Sequence, residues 1–405
     1  MTEDGSTQSP DALEGIRILE SGRFFAAPLV GTLLGDMGAE VIRYEEPGIG
    51  DLLRRAYPPL IGDKVGPYFL WSARNKKSIT LDLRKPEGRD LFREIAAVSD
   101  VVTENFTPGT MERWGVGYEE LRKVNPSIIM LSVSAYGATG PYAERRGVDN
   151  IRQAATGLMS ISGEPDGPPT MSGIAIVDYV TGFMNTYAVQ IALFHREKTG
   201  EGQWIDNSLF DTGTWMLEHK ILHYTYMGEM AWRTGSRGQP MARAYEAKDG
   251  EVFILGLFGG GSPVLEALGL TRFREDPRFP KEAARPVEVD LLNEIDAAVE
   301  DWTRSHTVAE IEETLLPLGV MLAPVNDVAA VVNNPQYEAR GNLVEVEHPE
   351  LGTMRFQGVA PKLSRTPGKV KSAAPLLGEH NDYVYRELLG HSESEIAAWR
   401  SQGVI

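Results

Sequence analysis

One aspartate stands where its neighbours are built for burial. Residues 172–183 read SGIAIVDYVTGF, so the apolar run Ile174-Ala175-Ile176-Val177 leads straight into Asp178, and Tyr179 and Val180 follow. A lone ionised carboxylate in apolar surroundings is costly; it must be partnered, protonated or in use. The plain reading makes Asp178 the N-cap of a helix that starts at Tyr179. The functional reading puts the carboxylate to use at a site. The stretch alone leaves both open.

Two further clusters carry chemistry. Arg74-Asn75-Lys76-Lys77 packs three cations and an amide into one turn. Lysine as a point charge and arginine as a fork suit phosphate groups, and a solvated surface turn is the alternative. Glu104-Asn105-Phe106-Thr107-Pro108-Gly109, with Arg113 beyond it, ends an apolar run in an amide, an aromatic ring and a Pro-Gly turn. Ligands bind at such strand ends in open α/β sheets. His219 and His223 have the i, i+4 spacing of a metal pair, but HKILH lacks the intervening glutamate of a zincin, and we read them as ordinary helix-face residues. Gly259-Gly260-Gly261 reads as a turn into a helix near Pro263.

The elements that must hold these residues alternate. Ile16–Glu20, Glu40–Glu45, Ser78–Leu83, Val101–Glu104 and Ile128–Val133 read as short strands, and Ala27–Met37 and Pro86–Val98 as helices between them. The pattern predicts a parallel, helix-covered sheet of nucleotide-binding type. Tyr179–Lys198 is helical and stops at Thr199-Gly200. Trp204–Asn207 reads as a strand, and Leu209–Met227 as one long helix. The composition turns loop-like over Thr234–Pro240, where a domain boundary is expected. Glu251–Leu257 is a predicted strand, Val287–Leu318 is helical, Pro324–Leu343 is loop-rich with a short helix, and a last helix covers Asn381–Leu389. The β-α-β opening invites a dinucleotide, but the turn SGRFFAAP lacks the spaced glycines that admit a pyrophosphate.

Composition narrows the classes. The 405 residues exceed one ordinary core. A net charge of −17 repels nucleic acid and anionic lipid, so neither is an expected partner, although a local cationic cluster can still hold an anion. With no cysteine there is no disulfide, thiolate nucleophile or thiolate metal site, which fits a reducing cytoplasm. The polar start MTEDGSTQSPDA is not a secretory signal, and no apolar run reaches eighteen residues.

The stretches LEGIRILE, GDMGAEVIRYEEPGIGD, ARNKKSITLDL, VTENFTPGTMERWG, GPPTMSGIAIVDYVTG, HREKTGEGQWIDNSLFD and PLLGEH resemble the class III CoA-transferase family from Leu13 to near the end. The resemblance implies a large Rossmann-like parallel-sheet domain built from both chain ends, a smaller α+β domain, and two subunits interlocked as links of a chain. The expected division is a disordered tail over 1–12, a large CoA-binding domain over 13–230 and 326–405, and a small domain over 241–325. It makes Asp178 the nucleophile. It places CoA contacts at Phe25, Ala26, Arg74, Asn75, Lys76, Asn105, Phe106, Arg113 and Arg146, and active-site positions at Val148 and Asp149. A glycine-rich lid, shortened here, falls on Gly238 and Gln239. Coenzyme A enters as a thioester substrate; no resident cofactor or metal is expected. The expected partners are an acyl-CoA donor, a carboxylic acid acceptor, and a second copy or a related chain.

Departures bear on the substrate. Formyl-CoA transferase has glutamine at the position of Phe25, tyrosine at Val148 and glutamate at Asp149. The less polar pocket here points to an acid bulkier than formate or oxalate, a dicarboxylate or an aromatic acid. The related 2-methylacyl-CoA racemases use a histidine at the position of Val148 as the partner base, and none stands here. A non-catalytic CoA-binding subunit is the other alternative, although such subunits tend to lose the aspartate.

Overall fold

The computed structural model describes residues 10–56, 59–236, 242–255, 263–279 and 288–405. Gly238, Gln239 and the Gly259–Gly261 turn lie outside the described residues.

Six strands form one parallel sheet: β1 (Arg17–Glu20), β2 (Glu40–Glu45), β3 (Lys76–Thr80), β4 (Val101–Glu104), β5 (Ile129–Ser134) and β6 (Trp204–Ser208). Their order is β3-β2-β1-β4-β5-β6, the doubly wound arrangement in which the order reverses between β1 and β4. The inner strands β1, β4 and β5 are largely buried and read as short apolar runs rather than alternations, whereas the edge strand β6 is largely exposed. The helices are α1 (Pro28–Asp36), α2 (Pro67–Ser72), α3 (Pro86–Ala97), α4 (Thr110–Arg113), α5 (Tyr118–Val124), α6 (Asp149–Ala155), α7 (Leu158–Ile161), α8 (Ile176–Thr199), α9 (Leu209–Trp215) and α10 (Lys220–Met227). The predicted helix over 209–227 is therefore two helices. Between them Glu218 has φ +52°, a left-handed conformation that cannot continue a helix.

The chain forms two compact units. The first comprises Met1–Thr156, Gly173–Leu217 and Pro335–Ile405; the second comprises Gly157–Ser172 and Glu218–Asn334. The second unit therefore starts earlier than residue 241 and adds a segment, 157–172, from within the first part of the chain. It holds an antiparallel sheet of β7 (Ala242–Glu246), β8 (Glu251–Leu255) and β9 (Met321–Pro324). It also holds α11 (Val264–Ala267), α12 (Val289–Arg304), α13 (Val308–Leu315) and α14 (Val328–Val332). Tyr245, Ile254, Leu291, Ile295, Val299 and Ile311 fill its core. In the first unit, α15 (Pro335–Ala339) precedes the hairpin β10 (Leu343–His348) and β11 (Gly352–Gln357), and α16 (Glu393–Ser401) follows. No helix among the described residues is long and apolar enough to cross a membrane.

Both chain ends build the first unit's core. Leu19, Ile42, Ile79, Phe92 and Val102 pack with Val384, Tyr385, Ile396 and Val404. The Tyr385 hydroxyl donates to the Thr80 carbonyl (2.7 Å), and the Asp82 amide donates to the Val404 carbonyl (2.8 Å).

Charges are buried in the same sheet, and they are paired. Glu20, at the end of β1, faces Arg43 across the strand pair and bonds its Nη1 at 2.5 Å. Arg43 also bonds Asp51, and Lys76 reaches Glu20 at 2.8 Å. A buried charge needs such partners, and removing one leaves the other stranded.

Candidate active site

The β1–α1 turn and the β4–α4 turn flank the point where the strand order reverses, the place where open α/β sheets bind ligands. Asn105 ties the two turns together. Its Oδ1 accepts from the Arg23 amide at 2.8 Å and its Nδ2 donates to the Arg23 carbonyl at 2.6 Å. Glu104 holds the second turn, accepting from the Phe106 amide at 2.7 Å, and burial pushes its carboxyl up to about 7. Phe24 in the first turn has φ +60°, uncommon for a bulky residue, and such strain gathers at functional sites.

A cavity of about 200 Å³ opens here. Phe25, Ala26, Asn105, Val148, Asp149 and Asp178 are among its lining residues. Phe25 stacks on Tyr179 (centroids 6.1 Å apart) and meets Tyr68 edge-on (5.0 Å), so one wall is aromatic. The structure thus brings together residues that are separate in sequence. Arg146 is exposed beside Gly147, which also lines the cavity.

Asp178 is not an N-cap. Helix α8 starts at Ile176, which puts Asp178 in the first turn, and Ala175 at the cap position offers no side-chain bond. The cap comes through space. Asp149 Oδ1 accepts from the amides of Val177 (2.8 Å) and Asp178 (3.1 Å), and its Oδ2 accepts from Gln153 Nε2 at 2.5 Å. Gly182 sets the helix down: a Cβ there would stand 2.6 Å from Leu29 of α1, so α8 approaches α1 closely only without a side chain. With Asp149 bonding the amides, the Asp178 carboxylate is left facing the cavity. Burial, and then the negative charge of Asp149, raise its carboxyl from the ordinary 3.8 to about 7. A carboxylate poised near neutrality, half shut from water and beside an aromatic wall, is suited to attack a carbonyl.

Thr181 and Gly182, next along the chain, lie inside α8, where backbone amides serve the helix ladder and are not offered to an oxyanion.

Arg74, Asn75 and Lys76 turn inward. Arg74 donates to both Asp36 oxygens (3.2 and 2.6 Å) and to the Gln357 carbonyl (2.9 Å). Lys76 is 3 % exposed and spends its ammonium on Glu20 and the Pro28 carbonyl. Asn75 binds Asp36 and accepts from the amides of Lys371 and Ser372, pinning the returning C-terminal segment. None of the three lines the cavity. The turn reads as cationic in sequence because its anionic partners, Glu20 and Asp36, lie far away along the chain. Arg74→Ala is expected to destabilise the first unit by about 3–5 kcal/mol by stranding Asp36, read as a lowered denaturation midpoint. Loss of CoA affinity without loss of stability would contradict this.

Arg113 is exposed and bonded to Thr110 Oγ1 at 2.7 Å, and Arg23 lies over the Phe106 ring at 5.7 Å. A second cavity, about 380 Å³, is lined by Arg23, Arg84, Phe106, Thr110 and Trp114. It abuts the first across the Arg23–Asn105 bridge, since Phe24 and Asn105 face one cavity and Arg23 and Phe106 the other. Sequence reasoning missed Arg23; its place in the turn after β1, one residue before Phe24, was the available signal. His219 and His223 are on the second unit, and no group of metal-binding side chains occurs among the described residues.

The chain matches the model of CoA-transferase family III over residues 13–381. It is 36 % identical, over 99 % of its length and 100 % of the relative's, to the succinyl-CoA–D-citramalate CoA-transferase of Chloroflexus aurantiacus. The succinyl-CoA–L-malate CoA-transferase beta subunit of the same organism is 38 % identical over 99 % of this chain and 100 % of its own. Among solved structures, a CAIB/BAIF family protein from Brucella suis superposes with a TM-score of 0.85 at 34 % identity, covering 94 % of this chain and all of the other. With a six-stranded parallel sheet, an aspartate at the turn-lined cavity and a family match that spans nearly its whole length, this chain belongs to CoA-transferase family III, and it is a CoA-transferase.

Proposed function

We propose that the chain moves CoA from succinyl-CoA, or a close homologue, to a second dicarboxylic acid, with Asp178 as the covalent relay. The observation that carries this reading is the Asp178 carboxylate at the cavity, its helix capped by Asp149 and its proton affinity raised to about 7. The names of the relatives supply the substrate class.

The Asp178 carboxylate attacks the donor thioester carbonyl and CoA leaves as thiolate, giving a mixed anhydride. The thiolate attacks the aspartyl carbonyl, forming an aspartyl-CoA thioester and releasing the donor acid. The acceptor carboxylate then attacks that thioester, expelling the thiolate and leaving a second anhydride. Attack of the thiolate on the acceptor's acyl carbonyl forms the new acyl-CoA and frees Asp178. Thioester energy is conserved because each intermediate is itself activated.

We place the thioester in the Asp178 cavity and the nucleotide end of CoA in the adjoining one, whose lining includes Arg23 and Thr110, with the exposed Arg113 bonded to Thr110 at its edge. Asn105 sits between. Asn105→Ala is expected to weaken CoA binding about tenfold, because two turns lose their tie. Arg113→Ala should weaken it most at low salt, with the difference fading as ionic strength rises. Unchanged CoA affinity in both variants would remove this placement. The exposed residues Phe183, Tyr187, Ile191 and Phe194 make an apolar stripe along α8, the kind of surface a second copy of this chain covers.

The test offers succinyl-CoA with D-citramalate, L-malate, glutarate and valerate, and follows the new acyl-CoA by mass spectrometry. Transfer to dicarboxylates supports the reading. Transfer only in the presence of a related second chain would make this a subunit of an unlike pair. Deuterium uptake at the α-carbon of a 2-methylacyl-CoA in heavy water, with no transfer, would favour a racemase. No histidine lines the cavity among the described residues.

A further inference from the structure

The Asp178 cavity has an electrostatic gap for the substrates just named. Its lining contains no lysine or arginine among the described residues, and its ionisable members are Asp149 and Asp178. A dicarboxylate that presents one carboxylate to the reaction brings a second negative charge into a wall already negative. Something must offset it.

Arg152 is a buried cation placed to do so. It lies in α6, one turn beyond Asp149, and is 1 % exposed. Its guanidinium lies on the Tyr136 ring, 3.8 Å from the centroid. Nε and Nη1 are buried without a hydrogen-bond partner, and no ion pair of Arg152 occurs among the described residues. Asp149 is not its counter-ion, because that carboxylate is turned to α8 and Gln153. Other deeply buried cations of this unit, Arg43, Arg74 and Lys76, each have a carboxylate. An unmatched buried charge is expensive and calls for an explanation, and an anion that arrives with substrate supplies one.

The guanidinium is against the cavity wall. Gly147 lines the cavity, and a Cβ on Gly147 would stand 2.5 Å from Arg152 Nη2 and 2.8 Å from Cζ. Arg152 therefore occupies the space of the side chain that Gly147, a residue of the cavity wall, lacks. This close to the wall, in surroundings of low polarisability, a unit charge is felt strongly.

We propose that Arg152 is a specificity-determining positioning residue. From behind Gly147 it sets the cavity's preference for acids that carry a second carboxylate. The inference rests on the dicarboxylate reading above, but it is tested by binding rather than turnover.

Glutarate and valerate have the same chain length and differ by one charge. The purified full chain is titrated calorimetrically with each at low salt, with and without CoA. The wild type is expected to bind glutarate about tenfold or more tightly than valerate. Arg152→Gln should bring the two affinities together, Arg152→Lys should keep most of the difference, and Gly147→Ala, which displaces the guanidinium, should narrow it. A purely structural role would weaken both acids alike and leave their ratio unchanged. The proposal falls if the wild type shows no preference or binds neither acid, or if Arg152→Gln keeps the ratio. Should Arg152→Gln fail to fold, an undiminished preference in Gly147→Ala overturns it. Failure of transfer with an Arg152-dependent binding ratio would count against the reaction and not against this residue. Transfer to dicarboxylates with an Arg152-independent ratio would do the reverse.

Discussion

Asp178→Ala and Asp178→Asn are expected to lower CoA transfer by about 10⁴-fold or more, since the other carboxylate at the cavity, Asp149, is engaged by the α8 amides and Gln153. In the wild type, single-turnover mixing with succinyl-CoA should leave an adduct on the Asp178 peptide that hydroxylamine traps. Wild-type-like turnover in either variant, or trapping on another peptide, would refute the mechanism. The same substitution should raise stability. Below about pH 4 the carboxyl is protonated in both folded and unfolded chains. Between there and about 7 the folded chain keeps a proton that the unfolded chain has released, so the wild type loses stability as pH rises through that window. Above it the whole cost of the buried charge is present. Asparagine never ionises. Asp178→Asn should therefore match the wild type at pH 4 and gain about 1–2 kcal/mol at pH 8, where water in the cavity screens part of the shift. A variant no more stable than wild type at pH 8 would show that the site carries no such cost.

Asp149→Ala should reduce kcat about 10²-fold, because the first turn of α8 loses the acceptor that fixes Val177 and Asp178. Asp149→Asn keeps an acceptor oxygen and should lose far less. Both remove a negative charge that raises the Asp178 proton affinity. The acid limb of kcat/KM, centred near pH 7 in the wild type, is thus expected to move to lower pH in both variants. The two predictions separate position from charge. If Asp149→Asn falls as far as Asp149→Ala with an unmoved acid limb, neither role is correct.

Much of the sheet was legible because its inner strands are largely buried. IRILE, EVIRYE and VVTE are found as strands within a residue of the expected bounds. Helix α16 went unread, although Ser392 and Glu395 spell a capping box that the structure forms. The site was half legible. Asp178 could be singled out, since a carboxylate amid apolar residues needs a reason. What could not be read locally was which residue does the capping. That task belongs to Asp149, 29 positions earlier, and no periodicity links the two. The partners of the basic turn at Arg74–Lys77 were hidden for the same reason: a run of cations looks free when its carboxylates arrive from β1 and from the end of α1.

The closure of the first unit's core by residues 381–404 has a bearing on biosynthesis. A ribosome delivers β1 to β6 early, but Val384, Tyr385, Ile396 and Val404 emerge only after the whole second unit has been made. At about 5–20 residues per second the unfinished sheet waits roughly ten to forty seconds. During that wait its apolar strands are uncovered, while the second unit, whose core needs nothing from the C-terminal segment, is free to fold first. The nascent chain should therefore be a client of chaperones that hold exposed strands. Heterologous production should gain more from slowed synthesis or added chaperone than the stability of the finished protein would indicate.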